Sequence, residues 1–382
     1  MLLKLKIRMF DLKYSLMLRW IIARHSFTCK RVPLNFGDLE KLIGNLKHAQ
    51  NVVWVVPGRF KPGGVEVYPP SIEYVESYKE YRNKFASEEN SQIKVVEYGV
   101  DAEVLDLLDA TCSTPEKLNL LFVFFGASWD ALPKLRKTIL DLKNIKSQHP
   151  SASLVCIYSD TSIPRDFAHL MNLHELFDLV IVNDQCIADK LPCVASVSPS
   201  VTPISRNTFL NHSVIVEPST EKVDWDIGIF GMPYRDRVKI YEKLVAEGLA
   251  VYMPGRFAQR LSYSEYLRKQ ALTKIQICTT LTYNGKGRQM KGHFGESLNA
   301  GSCTIVDDAD VISPYFTKGE HYLKFDDTED LVNLCHLLIK DTDYRNSLSR
   351  AGQAKYWSIS LSENYWIWLE ENLLGLSSQS IL

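Results

Sequence analysis

Short apolar runs recur along the first half of the chain, each closing at a turn-forming residue. Asn51–Pro57, Ile93–Tyr98, Asn119–Phe125, Ser153–Ser159 and Phe177–Asn183 are rich in Val, Ile, Leu or Phe and stop at or beside Gly, Pro, Asp, Asn or Ser. Polar-patterned stretches such as Ser71–Ala86 and Leu132–Lys146 lie between them and read as helices. Strands apolar on both faces, alternating with helices, predict a parallel sheet covered on two sides. The rhythm breaks over Ser196–Ser219, where Pro199, Pro203 and Pro218 sit among Ser and Thr without sustained periodicity, the pattern of a linker. It then restarts. Trp225–Phe230, Leu249–Met253, Ile275–Thr279, Thr304–Asp307 and Tyr322–Phe325 read as strands. Arg235–Glu247, Tyr263–Thr273, Glu296–Asn299, Thr328–Ile339 and Asp343–Lys355 read as helices. Two successive βα domains follow, and such sheets bind ligands beyond the carboxyl ends of their strands.

Composition agrees. The chain has 382 residues, which suits two domains, and its 46% hydrophobic content suits packed cores. A formal net charge of -1 gives no whole-protein basic field for nucleic acid. The first 31 residues are a local exception, with Lys4, Lys6, Arg8, Lys13, Arg19, Arg24, Lys30 and Arg31 against the single acid Asp11. Two readings stand for this block. It is a basic amphipathic helix on an anionic membrane surface, or a helix packed on the first domain whose long basic side chains cover apolar surface. The charges interrupt its apolar stretch, so it does not read as a signal peptide, and no later run has the length of a membrane span. Eight scattered cysteines without a C-x-x-C pair are expected as buried, reduced thiols of a cytoplasmic protein.

The chemistry concentrates between Tyr283 and Asp307. This stretch is glycine-rich, carries Lys286, Arg288 and Lys291, and runs through a short helix into an apolar strand. Glycines admit close backbone approach, a helix amino terminus suits a diphosphate, and Arg or Lys adds charge-assisted hydrogen bonds. A carboxylate at Glu296 can take paired hydrogen bonds from ribose hydroxyls. The plain alternative is a cationic surface loop.

Within it, Phe294-Gly-Glu-Ser-Leu-Asn-Ala-Gly-Ser-Cys-Thr-Ile-Val306 resembles the F-G/E-E-A-x-A-x-G-x-P-V-V segment of GT-B glycosyltransferases. The likeness is nearest to the CgeB-like, spore-maturation branch of the group-1 superfamily. Asp226-Ile-Gly-Ile-Phe-Gly-Met-Pro-Tyr-Arg-Asp-Arg237, Asp326-Asp-Thr-Glu-Asp-Leu331 and Tyr344-Arg-Asn-Ser-Leu-Ser-Arg-Ala-Gly352 follow the same family's order. The likeness covers about residues 224–356. It implies a GT-B fold of two Rossmann-like domains facing across a cleft, with a C-terminal crossing helix. The expected layout is a basic segment over 1–31, an acceptor domain over 32–205, a nucleotide-sugar domain over 206–355 and a returning helix over 356–382. The aromatic tail with Trp357, Tyr365, Trp366 and Trp368 suits that helix, or a core helix of the second domain.

The resemblance assigns Glu296 to the donor ribose and Arg288 and Lys291 to the diphosphate, with Lys286 a further candidate. Gly231 and Gly295 admit the ligand, and Arg237 lies nearby, or is a solvated helix residue. Val56-Pro-Gly-Arg-Phe-Lys-Pro-Gly-Gly-Val-Glu66 is similar to the family's first-domain loop, placing Gly63 and Gly64 near the sugar or diphosphate, or in an ordinary surface turn. Asp160, at a strand end, matches the family's catalytic or positioning group, ahead of Asp184 and Asp130; a helix cap is the alternative for each. Many retaining members carry a second Glu eight positions before the one at 296, where this chain has Arg288, a candidate for catalysis itself. Asp307, Asp308 and Asp310 form a D-x-D-like run in the wrong context for a metal, and read as helix-capping acids of a loop. Neither metal nor cofactor is expected.

The implied activity is hexosyltransferase-like: transfer of a sugar from a nucleoside-diphosphate sugar to an acceptor hydroxyl on a glycan, a lipid-linked molecule or another compound. Two other readings stand beside it, glycosylation of modified DNA bases with residues 1–31 on phosphates, and a sugar-nucleotide-binding protein without catalysis.

Overall fold

The computed structural model describes residues 36–49, 51–57, 71–85, 92–98, 120–125, 143–150, 152–158, 176–182, 195–197, 203, 225–231, 233, 235–254, 263–281, 288–308 and 310–379. The basic segment 1–31 and most of the expected linker lie outside them. The chain forms two compact units: Met1–Gly58 with Tyr81–Pro199 and Ile367–Leu382, and Arg59–Glu80 with Ser200–Trp366.

The first unit holds a six-stranded sheet of β1 (Asn51–Pro57), β2 (Gln92–Tyr98), β3 (Leu120–Phe125), β4 (Ser153–Tyr158), β5 (Leu179–Val182) and β6 (Ala195–Val197). Every pairing is parallel and the order is β2-β1-β3-β4-β5-β6. The first five strands stand where the apolar runs predict them. β6 has no counterpart in the sequence pattern: three residues carry too little period to be read, and they fall at the start of the Ser196–Ser219 linker pattern. A helix α1 (Phe36–His48) was likewise missed before β1. It buries Leu42 and Leu46, and its Asn45 donates to Ser153 Oγ at 2.7 Å.

The second unit holds β7 (Ile227–Gly228), β8 (Val251–Tyr252), β9 (Ile275–Cys278), β10 (Cys303–Val306) and β11 (Leu323–Lys324). All pairings are parallel, in the order β11-β10-β9-β7-β8. Helices α3 (Arg235–Ala246), α4 (Tyr263–Ala271), α5 (Gly292–Asn299), α6 (Thr328–Lys340) and α7 (Thr342–Ser360) alternate with or follow the strands. The core joins Ile227, Ile229, Ile275, Ile277 and Ile305 of the sheet region to Leu244 of α3, Leu331 and Leu338 of α6 and Leu348 of α7. Asp327 and Asp341 accept backbone hydrogen bonds at the amino ends of α6 and α7, which fixes where those helices start.

Both sheets run in the doubly wound order second-first-third-fourth. In each, the direction of winding reverses between the first and third strands, the crevice that such sheets offer to ligands. In the second unit this switch point lies between β7 and β9.

A last helix, α8 (Ser362–Gln379), packs on α2 (Ser71–Phe85). In the second unit, Tyr365 meets Tyr74 edge-on at 5.8 Å and Trp366 meets Tyr78 at 5.1 Å, with the Trp366 indole donating to Ser77 Oγ at 3.1 Å. In the first unit, Glu370 accepts from Tyr81 and pairs with Lys47 at 2.7 Å. Among the described residues no helix is long and apolar enough to cross a membrane. Cys156, Cys278, Cys303 and Cys335 are buried free thiols.

Candidate functional site

The carboxyl ends of β7, β9 and β10 gather most of the second-unit residues singled out above. After β7, Gly231 adopts φ +96°, a left-handed backbone that side-chain-bearing residues rarely accept. It also makes room: a Cβ built there would sit 2.5 Å from Arg237 Nη1. Arg237 comes from the first turn of α3 and is 3% exposed. Its Nε donates to Thr279 Oγ1 at 2.9 Å, and its Nη2 lies 3.0 Å from His293 Nε2. A guanidinium only donates, so that imidazole nitrogen accepts. Arg237 is therefore a built-in buried cation at the switch point, and the solvated-residue reading fails.

His293 is the second residue of α5. Burial, then the charges of Arg237 and Lys291, hold its pKa well below the ordinary value, against a hydrogen bond to the Thr279 backbone. The unfolded chain binds a proton there near pH 6.5 that the folded chain refuses. Stability therefore falls as pH drops below about 6.5. His321, held low by burial, adds the same sign. Glu296, raised by burial, contributes with the opposite sign as pH falls below its folded pKa. His293→Gln retains an acceptor for Arg237 and should flatten the melting-temperature decline between about pH 6.5 and 5.

The expected helix Glu296–Asn299 begins four residues earlier, at Gly292, because Gly292 and Gly295 did not read as helical. Its amino-terminal cap is Lys291, which makes no side-chain capping bond; within the first turn the Phe294 N–H turns back to the Lys291 carbonyl at 3.0 Å. Glu296 lies one turn in. Its Oε2 accepts from Tyr266 of α4 at 2.6 Å, and the Tyr266 hydroxyl accepts from Gln270 Nε2 at 3.2 Å. Gly295 is buried against α7, where a Cβ would stand 2.6 Å from the Tyr356 ring, so this glycine serves helix packing. Lys291 Nζ donates to Gln289 Oε1 at 3.2 Å.

Arg288 is carried to the end of β9 by the antiparallel bridge Leu281↔Arg288 and by Gln289 N–H on the Thr280 carbonyl at 2.9 Å. It donates to Thr280 Oγ1 and to Asp307, each at 3.0 Å, and pairs through Nε with Asp308 at 2.7 Å. Asp307 also accepts from Thr280 N–H at 2.7 Å and Thr280 Oγ1 at 2.8 Å. Asp307 thus caps the end of the neighbouring strand, Asp308 accepts from Asp310 N–H at 2.8 Å in its own loop, and both hold Arg288 rather than capping a helix. Among the described residues no three His, Cys, Asp or Glu side chains converge as a metal ligand set.

Gly63, Gly64, Asp160 and Lys286, with Asp130 and Asp184, lie outside the described residues. Sequence reasoning passed over Thr279, Thr280, His293, Tyr266 and Gln270. Thr279 and Thr280 were findable, since they end a predicted strand on the ligand side of the sheet.

Residues 211–361 match the family model described as glycosyl transferase-like. No curated protein matches the chain. Among solved structures, HepE from Anabaena, crystallised with UDP and glucose, is 13% identical and superposes with a TM-score of 0.53 over 86% of this chain and 100% of that one. Sucrose-phosphate synthase from Thermosynechococcus elongatus is 10% identical, with a TM-score of 0.51 over 86% of this chain and 100% of that chain. The fold is that of the GT-B glycosyltransferases. The match to the family model falls on the second unit, which contains β7–β11 and the Arg237–Glu296 cluster.

Proposed function

We propose that the chain is a glycosyltransferase that binds a nucleoside-diphosphate sugar at the carboxyl ends of β7 and β9 and passes the sugar to an acceptor hydroxyl. The supporting observation is the convergence there of a buried cation, an uncapped helix amino terminus and a carboxylate. Arg237 lies against Gly231 and against His293 in the first turn of α5, whose amino end carries no side-chain cap, and Glu296 stands one turn along α5. This set suits a diphosphate on the Arg237 and Lys291 side and a ribose at Glu296.

Glycosyl transfer leaves negative charge on the departing diphosphate. Fixed cations and backbone N–H groups stabilise that charge without reorganising during the reaction. Arg237 is held in place by Thr279 and His293, and His293, being neutral, adds no competing charge. Arg288 is the second cation in the region. A diphosphate reaching it has to compete with Asp307 and Asp308 for the guanidinium, so its share in transfer is proposed as smaller than that of Arg237. Asp160 is the proposed catalytic or positioning group of the first domain, and Gly63, Gly64 and Lys286 are proposed to line the donor.

The test is incubation with a panel of UDP-, GDP-, ADP-, CDP- and dTDP-sugars, following released nucleotide by mass spectrometry, with and without a chelator. Release that survives the chelator and falls with Arg237→Ala supports the reading. Nucleotide binding without release would identify a binding protein, and no binding of any nucleoside diphosphate would contradict the site itself.

A further inference from the structure

The side chain of Glu296 is not left to orient itself. Tyr266 has one hydroxyl proton, and it lies on Glu296 Oε2 at 2.6 Å. With that proton committed, the tyrosine oxygen accepts from Gln270 Nε2 at 3.2 Å, and the Gln270 side chain also interacts with the Glu296 carboxylate directly. The arrangement therefore dictates which way the Gln270 amide points, and its Oε1, fully buried, meets no donor among the described residues. Turning the amide over would place two acceptors face to face. A buried amide oxygen without a partner is a cost that the fold tolerates here, and it keeps the hydrogen bonds running in one direction, from Gln270 through Tyr266 to Glu296.

Gln270 and Tyr266 are themselves anchored. The Gln270 carbonyl accepts from Gln276 Nε2 at 3.2 Å and from Ser302 Oγ at 3.1 Å, and those two side chains join each other at 2.8 Å, tying the end of α4 to β9 and the start of β10. The Tyr266 ring meets Phe230, just past β7, edge-on at 5.5 Å. Tyr266 is thus wedged by its ring and directed by its hydroxyl. The second carboxylate oxygen, Oε1, lies toward Gly292 at the amino end of α5, where even a Cβ on that glycine would stay 3.8 Å away.

We propose that Tyr266, oriented by Gln270, is a positioning residue that occupies Oε2 of Glu296 and so presents Oε1 to the ribose hydroxyls of the bound nucleotide. This rests on the nucleotide site proposed above and names the residues that give it ribose selectivity. Without the tyrosine hydroxyl the carboxylate regains rotational freedom and its ribose contact weakens.

The experiment is calorimetric titration of the full chain and of Tyr266→Phe and Gln270→Leu with UDP, GDP, ADP and CDP and their 2′-deoxy counterparts. The wild-type chain is expected to favour the best-binding ribonucleotide over its deoxy form by roughly tenfold or more. Tyr266→Phe, which keeps the ring against Phe230, is expected to cut that ratio about fivefold while leaving affinity for the deoxy form within about twofold. Gln270→Leu, which leaves Tyr266 in place without its guide and also removes the direct Gln270 interaction with Glu296, is expected to give a smaller fall. Two results would overturn the inference: an undiminished ratio in both folded variants, or equal loss of affinity for both sugar forms. A wild-type chain that binds the ribo and deoxy forms alike also overturns it. A wild-type chain that binds no diphosphate contradicts the proposed function itself, which keeps the two failures distinguishable.

Discussion

Glu296→Ala weakens nucleoside-diphosphate binding by roughly thirtyfold to hundredfold, about 2–3 kcal/mol. The magnitude follows from what the carboxylate supplies. Hydrogen bonds to a charged acceptor contribute more than neutral ones, and a ribose that loses its acceptor inside a partly closed site is not fully compensated by water. The alanine also strands the Tyr266 hydroxyl, now without the acceptor it holds at 2.6 Å, so some stability is lost as well. Glu296→Gln separates the two effects. The amide oxygen still accepts from Tyr266, so the melting temperature stays near that of the wild type, while the charge that attracts the ribose hydroxyls is gone. Calorimetric titration of both variants, with thermal unfolding as the control, checks this. Wild-type affinity in both would remove Glu296 from the site.

Gly231→Ala is expected to destabilise the second unit by about 2–3 kcal/mol, in two separable parts. Placing a side chain at φ +96° costs roughly 1 kcal/mol by itself. The new Cβ would also lie 2.5 Å from Arg237 Nη1. An arginine usually yields to such a contact at little cost. This one is buried and hydrogen-bonded to Thr279 and His293, so moving it breaks those bonds or forces the backbone aside. The double variant Gly231→Ala with Arg237→Ala removes the clash but not the backbone strain. Urea denaturation should therefore show a coupling of about 1 kcal/mol between the two substitutions. Additivity within about 0.3 kcal/mol would mean that Arg237 is free to move, and a mobile arginine is a poor preorganised diphosphate ligand.

The parallel, helix-covered character of both sheets followed from simple features. Apolar runs closed by turn residues, with helices between them, leave few topologies open when crossovers are short and right-handed. β1 stands where its pattern predicts, Asn51–Pro57. Four of the five second-unit strands proved shorter than their apolar runs, β10 keeping four residues: Trp225–Phe230 contains a strand of two residues, Ile227–Gly228, while Ile229 and Phe230 beyond it stay buried. β6 and α1 were illegible for opposite reasons, one too short to show a period and the other lacking a strong starting signal at Phe36.

The site was legible where its parts lie close together in the chain. Gly231 and Arg237 share one strand–turn–helix, and Arg288, Lys291 and Glu296 share one loop and helix. The contacts that lock them were not. Asp307 reaches Thr280 only because β10 pairs with β9 in the register Val306↔Cys278, which no local pattern announces. Tyr266 reaches Glu296 only through the packing of α4 on α5, and a nine-residue helix carries too few turns to reveal which of its residues faces that partner.

The central claim is a nucleoside-diphosphate site at the carboxyl ends of β7 and β9, with the amino end of α5. Hydrogen exchange read by mass spectrometry, with and without saturating nucleoside diphosphate, tests it most directly. Slower exchange is expected in peptides covering 228–237, 278–281 and 288–299, with α6, on residues 328–340, unchanged. Protection confined to other segments, or none with any nucleotide of the panel, would contradict it.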